Sequence, residues 1–151
     1  MIDKLSFTVL GRPQPQGSIK AFMIGGKPRL TSDNSKMKPY RQQLGWTAIE
    51  SKNSAGIDGL FAEKHVPVSV EFRFYFTKPK SISKKRMHIV VKPDIDKICR
   101  SSIDAMTGIM YADDAQIVEI RASKHYGDPE RAEVIVKNLQ HLMNGENNGR
   151  S

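Results

Sequence analysis

KPDIDKICRSSIDAMTGIMYADDAQIVEI, residues 92–120, changes its hydrophobic period part-way along. From Asp94 the residues Ile95, Ile98, Cys99, Ser102, Ile103 and Met106 fall at i, i+3, i+4, i+7, i+8 and i+11, the stripe of an amphipathic helix. Asp94 stands where an N-cap belongs, and Gly108 supplies the left-handed residue common after a last turn. Beyond Asp113-Asp114 the period becomes two. Residues 116–126 and 131–139 alternate as strands on either side of GDPE, which predicts an antiparallel hairpin.

Working outward, residues 2–10 place Leu5, Phe7 and Val9 on one side of a half-buried strand that GRPQPQG, residues 11–17, interrupts. SIKAFMI and KPRLT flank a Gly25-Gly26 turn, so the N-terminal third reads as β-rich. Residues 36–52 set Tyr40, Leu44, Thr47 and Ala48 at helical spacing, with Pro39 tolerable in a first turn. A break follows near residues 54–59. VPVSVEFRFYFTKP, residues 66–79, alternates Val68, Val70, Phe72, Phe74 and Phe76 and is expected to lie centrally in the sheet. The sum is an α/β chain of the α+β kind, a mixed sheet with packed helices in one small domain over residues 1–142. NGENNGRS leaves residues 143–151 as an expected disordered tail.

Composition agrees with one soluble domain: 151 residues, 38% hydrophobic and 26% charged. There is no run of 18 apolar residues and no signal-peptide pattern at MIDKLSFTVLGRP, so a cytoplasmic protein with no membrane partner is expected. The single cysteine, Cys99, forms no intrachain disulfide; lying on the apolar stripe, it reads as a buried, inert thiol. The histidines at 65, 88, 125 and 141 show no ligand spacing, and no glycine loop is followed by the Lys-Ser/Thr of a phosphate-binding loop, so no nucleotide cofactor is expected. The charge is uneven. Residues 93–120 carry six acidic and two basic side chains inside a chain of net +8. A basic protein with an acidic centre suits a polyanionic partner and a cation between the two.

Asp94, Asp96, Asp104, Asp113 and Asp114 make up that centre with Glu119. Structural roles exist for most of them. Asp94 can cap the helix, Asp96, Arg100 and Asp104 can form a surface ion-pair ladder worth about 0.3–0.5 kcal/mol per pair, and Asp113-Asp114 can serve only as a turn. If instead the helix packs so that its N-terminus meets the Asp113-Asp114 turn, three or four carboxylates gather. Such a set needs a divalent cation, and hard oxygen ligands select Mg²⁺ or Mn²⁺. An EF-hand is excluded, because its required glycine falls on Cys99.

The order P-D-x-D, a helix ending D-A-M-x-G, then D-D-x-Q-I resembles the signature of the RusA family of Holliday-junction resolvases. GRPQPQG is similar to that family's proline-rich segment, so the resemblance spans roughly residues 5–137. It implies a homodimeric endodeoxyribonuclease that cuts four-way branched DNA by paired symmetric nicks in recombination and repair, with Mg²⁺ as cofactor and Mn²⁺ as a substitute. By position, the family's essential aspartates fall on Asp94, Asp96 and Asp114, with Asp113 as a further metal ligand. The family's catalytic lysine falls on Arg100, which holds phosphate but stays protonated, and Lys97 stands where many members have Asn. Lys20, Lys27, Arg29, Lys84, Lys85, Arg86 and Lys97 are candidate contacts to the DNA backbone, which position DNA without reading its sequence. The competing reading is a non-catalytic DNA-binding protein of the same fold.

Overall fold

The computed structural model describes residues 2–17, 19–32 and 34–143, with the backbone alone for residues 19, 20, 22 and 30–32. In chain order the elements are β1 (Lys4–Leu10), β2 (Ile19–Ile24), β3 (Lys27–Ser32), α1 (Met37–Ser54), β4 (Val68–Phe76), α2 (Ile95–Met106), a 3₁₀ turn (Asp114–Gln116), β5 (Ile117–Tyr126) and β6 (Arg131–Asn138). Residues 144–151 of the expected tail lie outside the described residues, and residues 140–143 make a helical turn. Among the described residues no helix is long and apolar enough to cross a membrane.

Alternation in β4 decides the layering. Val68, Val70, Phe72, Phe74 and Phe76 are buried, while Glu71 and Tyr75 are half-buried and Arg73 is exposed on the opposite face. The apolar face continues through Ala132, Val134 and Val136 of β6 and Leu5 and Val9 of β1, and α1 and α2 cover it. Tyr40, Leu44 and Ala48 from α1 meet Ile98, Ile103 and Met106 from α2, and the Tyr40 and Ser102 hydroxyls hydrogen-bond at 2.8 Å within this apolar layer. Cys99 is buried as expected, and burial pushes its thiol up to about 11, so it is a poor nucleophile near neutral pH.

The four-stranded sheet runs β1-β6-β4-β5, with β2 and β3 forming a separate two-stranded hairpin. This corrects the expected pairing of the last two strands. β5 pairs with β4 in parallel and β6 pairs with β4 antiparallel, so β4 lies between them. The physical reason is at residues 127–130. The Gly127 amide donates to the Phe76 carbonyl at 3.0 Å and the Thr77 amide donates to Glu130 at 3.2 Å, so GDPE crosses the end of β4 instead of folding β6 back onto β5. A Cβ at Gly127 would stand 2.8 Å from the Tyr75 ring, so only glycine makes the crossing at this distance. The parallel β4–β5 pair in turn requires a long crossover, and residues 77–116, with α2 inside them, supply it.

GRPQPQG forms no ladder. It lies across α2: the Gln16 amide donates to the Lys97 carbonyl at 2.9 Å, and the Ser101 hydroxyl donates to the Gln14 carbonyl. Proline has no amide to satisfy, which suits a segment that runs over a helix without pairing.

Candidate active site

The N-terminal end of α2 carries the first pair of carboxylates. Asp94 occupies the N-cap position with extended backbone, but its side chain accepts no bond from the helix amides. It stands 3.5 Å from the Lys97 ammonium instead, so the capping role available to it in sequence is not the one its carboxylate plays. Asp96 and Arg100 are exposed on the following turns. Neither Asp96–Arg100 nor Arg100–Asp104 comes within ion-pair distance, so the ladder suggested by their spacing does not form among the described residues. Lys124 of β5 donates to the carbonyls of Val91 and Pro93, at 2.9 and 3.0 Å, and fixes the entrance of the helix. Beside Asp94 opens a cavity of about 360 Å³ whose walls include Arg12, Gln16, Lys92 and Lys97. Arg12 is ion-paired with Glu130 at 2.8 Å, which leaves Lys92 and Lys97 as the cations of this cavity nearest in sequence to the carboxylate. The geometry suits an anion approaching Asp94.

The second pair sits past the other end of the helix. Gly108, at φ +83°, reverses the chain, and the Tyr111 hydroxyl tucks back to donate to the Ile103 carbonyl at 2.7 Å. Asp113 then caps the 3₁₀ turn by accepting from the Ala115 amide at 3.0 Å. Gln116 completes the turn: its Oε1 accepts from the amides of Ala112 and Asp113, while its Nε2 donates to the carbonyls of Glu63 and Val66. The D-D-x-Q-I motif contains this glutamine without giving it a role, although D-x-x-Q is a capping-box spacing that marks such a residue. Gln116→Ala removes all four bonds, and we expect it to cost about 1–3 kcal/mol in urea denaturation. Gln116→Glu, which sets an acceptor-only carboxylate oxygen against the Glu63 and Val66 carbonyls, should not recover that loss.

The two carboxyls of this turn titrate in opposite directions. The Ala115 amide holds Asp113 below its ordinary pKa, and the hydrogen bond between the carboxyls lowers it further. Asp114 is raised, first by that hydrogen bond to Asp113, then by desolvation and by the like charges of Asp113 and Asp104. As pH falls Asp114 takes up a proton first, and its O–H donates a hydrogen bond to the Asp113 carboxylate. As pH rises the turn acquires two adjacent negative charges, with that of Asp104 near them.

Asp94 and Asp96 do not meet Asp113 and Asp114 within one chain. Asp104, which acts electrostatically on Asp114, lies ten residues along α2 from Asp94, about 15 Å at 1.5 Å per residue. Among the described residues no group of three or more acidic, histidine or cysteine side chains is close enough to hold a metal ion. The approach that the sequence leaves open is not made within one chain, because β5 starts at the far end of the helix and runs back beside it. It reaches the level of Pro93 only at Lys124, seven residues and about 23 Å after Ile117.

The basic residues named from sequence lie mostly at the surface. Lys84, Lys85, Arg86 and Lys97 are exposed, as are Lys27 and Arg29 on β3; Lys20 is on β2. Lys78 closes the loop beneath the first three by donating to the carbonyls of Arg86 and Lys84, at 2.7 and 3.3 Å. Arg12 and Lys92, not named beforehand, line the Asp94 cavity.

Both ends of α2, the proline-rich segment and strands β4 and β5 fall inside one family match: residues 11–137 correspond to the family described as endodeoxyribonuclease RusA. The chain belongs to the RusA family. It is also similar to the uncharacterized protein YqaN of Bacillus subtilis (strain 168), at 28% identity over 148 residues covering 91% of this chain and 99% of that protein. The RusA family is one of endodeoxyribonucleases that act on branched DNA. The α+β fold with a mixed sheet is that of the family, and the match runs from Gly11, where GRPQPQG begins, to Lys137 near the end of β6.

Proposed function

We propose that this RusA-family chain is a Mg²⁺-dependent, structure-specific endonuclease that works as a homodimer in the cytoplasm and resolves four-way DNA junctions by paired symmetric nicks. The observation that carries the reading is the placement of two carboxylate pairs, Asp94/Asp96 and Asp113/Asp114, at opposite ends of α2. The described residues of one protomer do not bring three carboxylates together around an ion. Two protomers related by a two-fold axis fit it if the Asp94 end of one copy faces the Asp114 turn of the other, and symmetry then makes two equal sites. That arrangement suits a substrate of near two-fold symmetry that must be cut twice. The hard oxygen ligands favour Mg²⁺, with Mn²⁺ as a substitute.

A bound Mg²⁺ supplies a more acidic water and neutralises charge at the scissile phosphate. The chain's own residues supply the rest. Lys92 and Lys97 hold backbone phosphates beside Asp94, and Asp113, fixed by the Ala115 amide, orients Asp114. Arg100, exposed and unpaired among the described residues one turn after Asp96, stabilises developing negative charge without exchanging a proton.

The test is cleavage of a synthetic four-way junction and of a matched linear duplex, each with Mg²⁺ or with EDTA. Symmetric paired nicks in the junction alone, and only with Mg²⁺, are expected. Binding without cleavage in Mg²⁺ and in Mn²⁺ would replace this reading with that of a non-catalytic DNA-binding protein.

A further inference from the structure

Toward the C-terminal end of α2, beyond the turns that the proline-rich segment touches, α1 and α2 enclose a groove of about 530 Å³, within the usual range of ligand clefts. Its most conspicuous side chain is Trp46, the chain's one tryptophan, which is 67% exposed although it stands on a helix that buries Leu44 and Ala48. Ile49, also exposed, and Ile109 continue the apolar wall. Gly45 sets the depth: a Cβ there would already touch the Ala105 carbonyl oxygen and Ile109 Cδ1 at 3.4 Å each, so a larger side chain would fill the floor of the groove. The rim is charged. Lys38 and Arg41 line the same groove from α1, five to eleven residues before Trp46 and Ile49, and Gln42 adds an amide beside them. The opposite rim is Asp104, so the groove opens beside the Asp113-Asp114 turn.

We propose that this groove holds one unpaired nucleobase of the DNA substrate, stacked on Trp46, with Lys38 and Arg41 on the phosphates that flank it. The inference rests on the nuclease reading and adds a site for a base to the sites for backbone. An exposed aromatic face between cations is the combination that recognises single-stranded nucleic acid, because every base presents a ring face and every linkage a charge. A purely apolar partner would leave Lys38 and Arg41 desolvated and unmatched, whereas flanking phosphates match both. Bases become unpaired where branched DNA is opened, next to the strand that is cut. The shared wall at Asp104 puts the groove at that distance from the acidic turn.

Because Trp46 is the sole tryptophan, its fluorescence reads the site directly in the full chain. In EDTA, where no cleavage occurs, the protein is titrated with a four-way junction, with oligothymidylate and with a blunt duplex, and occupancy is followed by the anisotropy of labelled DNA. At equal occupancy the junction and oligothymidylate should quench strongly and the duplex should not. Trp46→Phe should retain affinity, while Trp46→Ala should lose about tenfold for oligothymidylate and junction and nothing for duplex. Junction that binds and is cut while tryptophan emission stays unchanged overturns the groove and leaves the nuclease standing. Failure of any DNA to bind overturns both. A Trp46→Ala chain that sediments as a monomer where wild type is a dimer assigns the groove to the protein interface instead.

Discussion

Mixed in equal amounts and allowed to exchange subunits, Asp94→Asn and Asp114→Asn chains are expected to recover junction nicking that neither shows alone. Each single variant should lose more than about a thousandfold in cleavage, because each removes a carboxylate from both metal sites of its dimer. Binding to junction should survive or tighten slightly, since a negative charge near phosphate is gone in each. The recovery follows from the geometry of α2. If a site takes Asp94 from one protomer and Asp114 from the other, a mixed dimer places both defects in one site and leaves the second intact. Half of the dimers in a random mixture are mixed, and each nicks one strand. Nicks without paired cuts are therefore the specific signature. If each site were built within a single protomer, no mixed dimer would contain an intact set and the mixture would stay silent, which sinks the two-protomer arrangement while leaving the need for both aspartates untouched.

The elements that decide this geometry were unequally legible in the sequence. α2 was readable to its ends because Ile98, Cys99, Ser102, Ile103 and Met106 form a stripe and Gly108 ends it; all five are buried as the stripe requires. β4 was readable as a central strand for the same reason in period two. Strand partnership was not. Alternation in residues 116–126 and 131–139 says that each has a buried face, but not which edge it joins, and the crossing at Gly127 depends on a contact with Tyr75 that no spacing records. The acidic residues were visible as a charge reversal in a basic chain, whereas their separation depends on a helix rise multiplied by ten residues and on the direction in which Tyr111 returns. Local competition hid smaller roles. Asp94 sits at a helix N-terminus yet pairs with Lys97, and Gln116 holds the Asp113-Asp114 turn through four bonds that reach as far as Glu63.

Affinity for junction DNA is expected to fall by about 10³- to 10⁵-fold between 50 and 200 mM salt, as for a protein that makes roughly 6–10 phosphate contacts. Apart from Lys38 and Arg41 at the Trp46 groove, the contacts available are exposed cations on three surfaces: Lys27 and Arg29 on β3, Lys84 to Arg86 in the loop after β4, and Lys92 and Lys97 around the Asp94 cavity. Lys78 is not among them, since its ammonium is engaged by the carbonyls of Lys84 and Arg86. Replacing Lys84, Lys85 and Arg86 together by alanine leaves those carbonyls in place, so the fold should be unaffected by urea denaturation. The same replacement should flatten the plot of log affinity against log salt by about 2.7 for each copy of the loop on DNA, at roughly 0.9 per phosphate released. Junction and duplex should lose affinity alike, because backbone contacts carry no information about sequence and little about branching. An unchanged slope with unchanged affinity would remove this loop from the DNA path. Discrimination between junction and duplex must then arise where the backbone contacts end, at the paired acidic sites and the Trp46 groove, and the triple variant should retain it while binding both substrates more weakly.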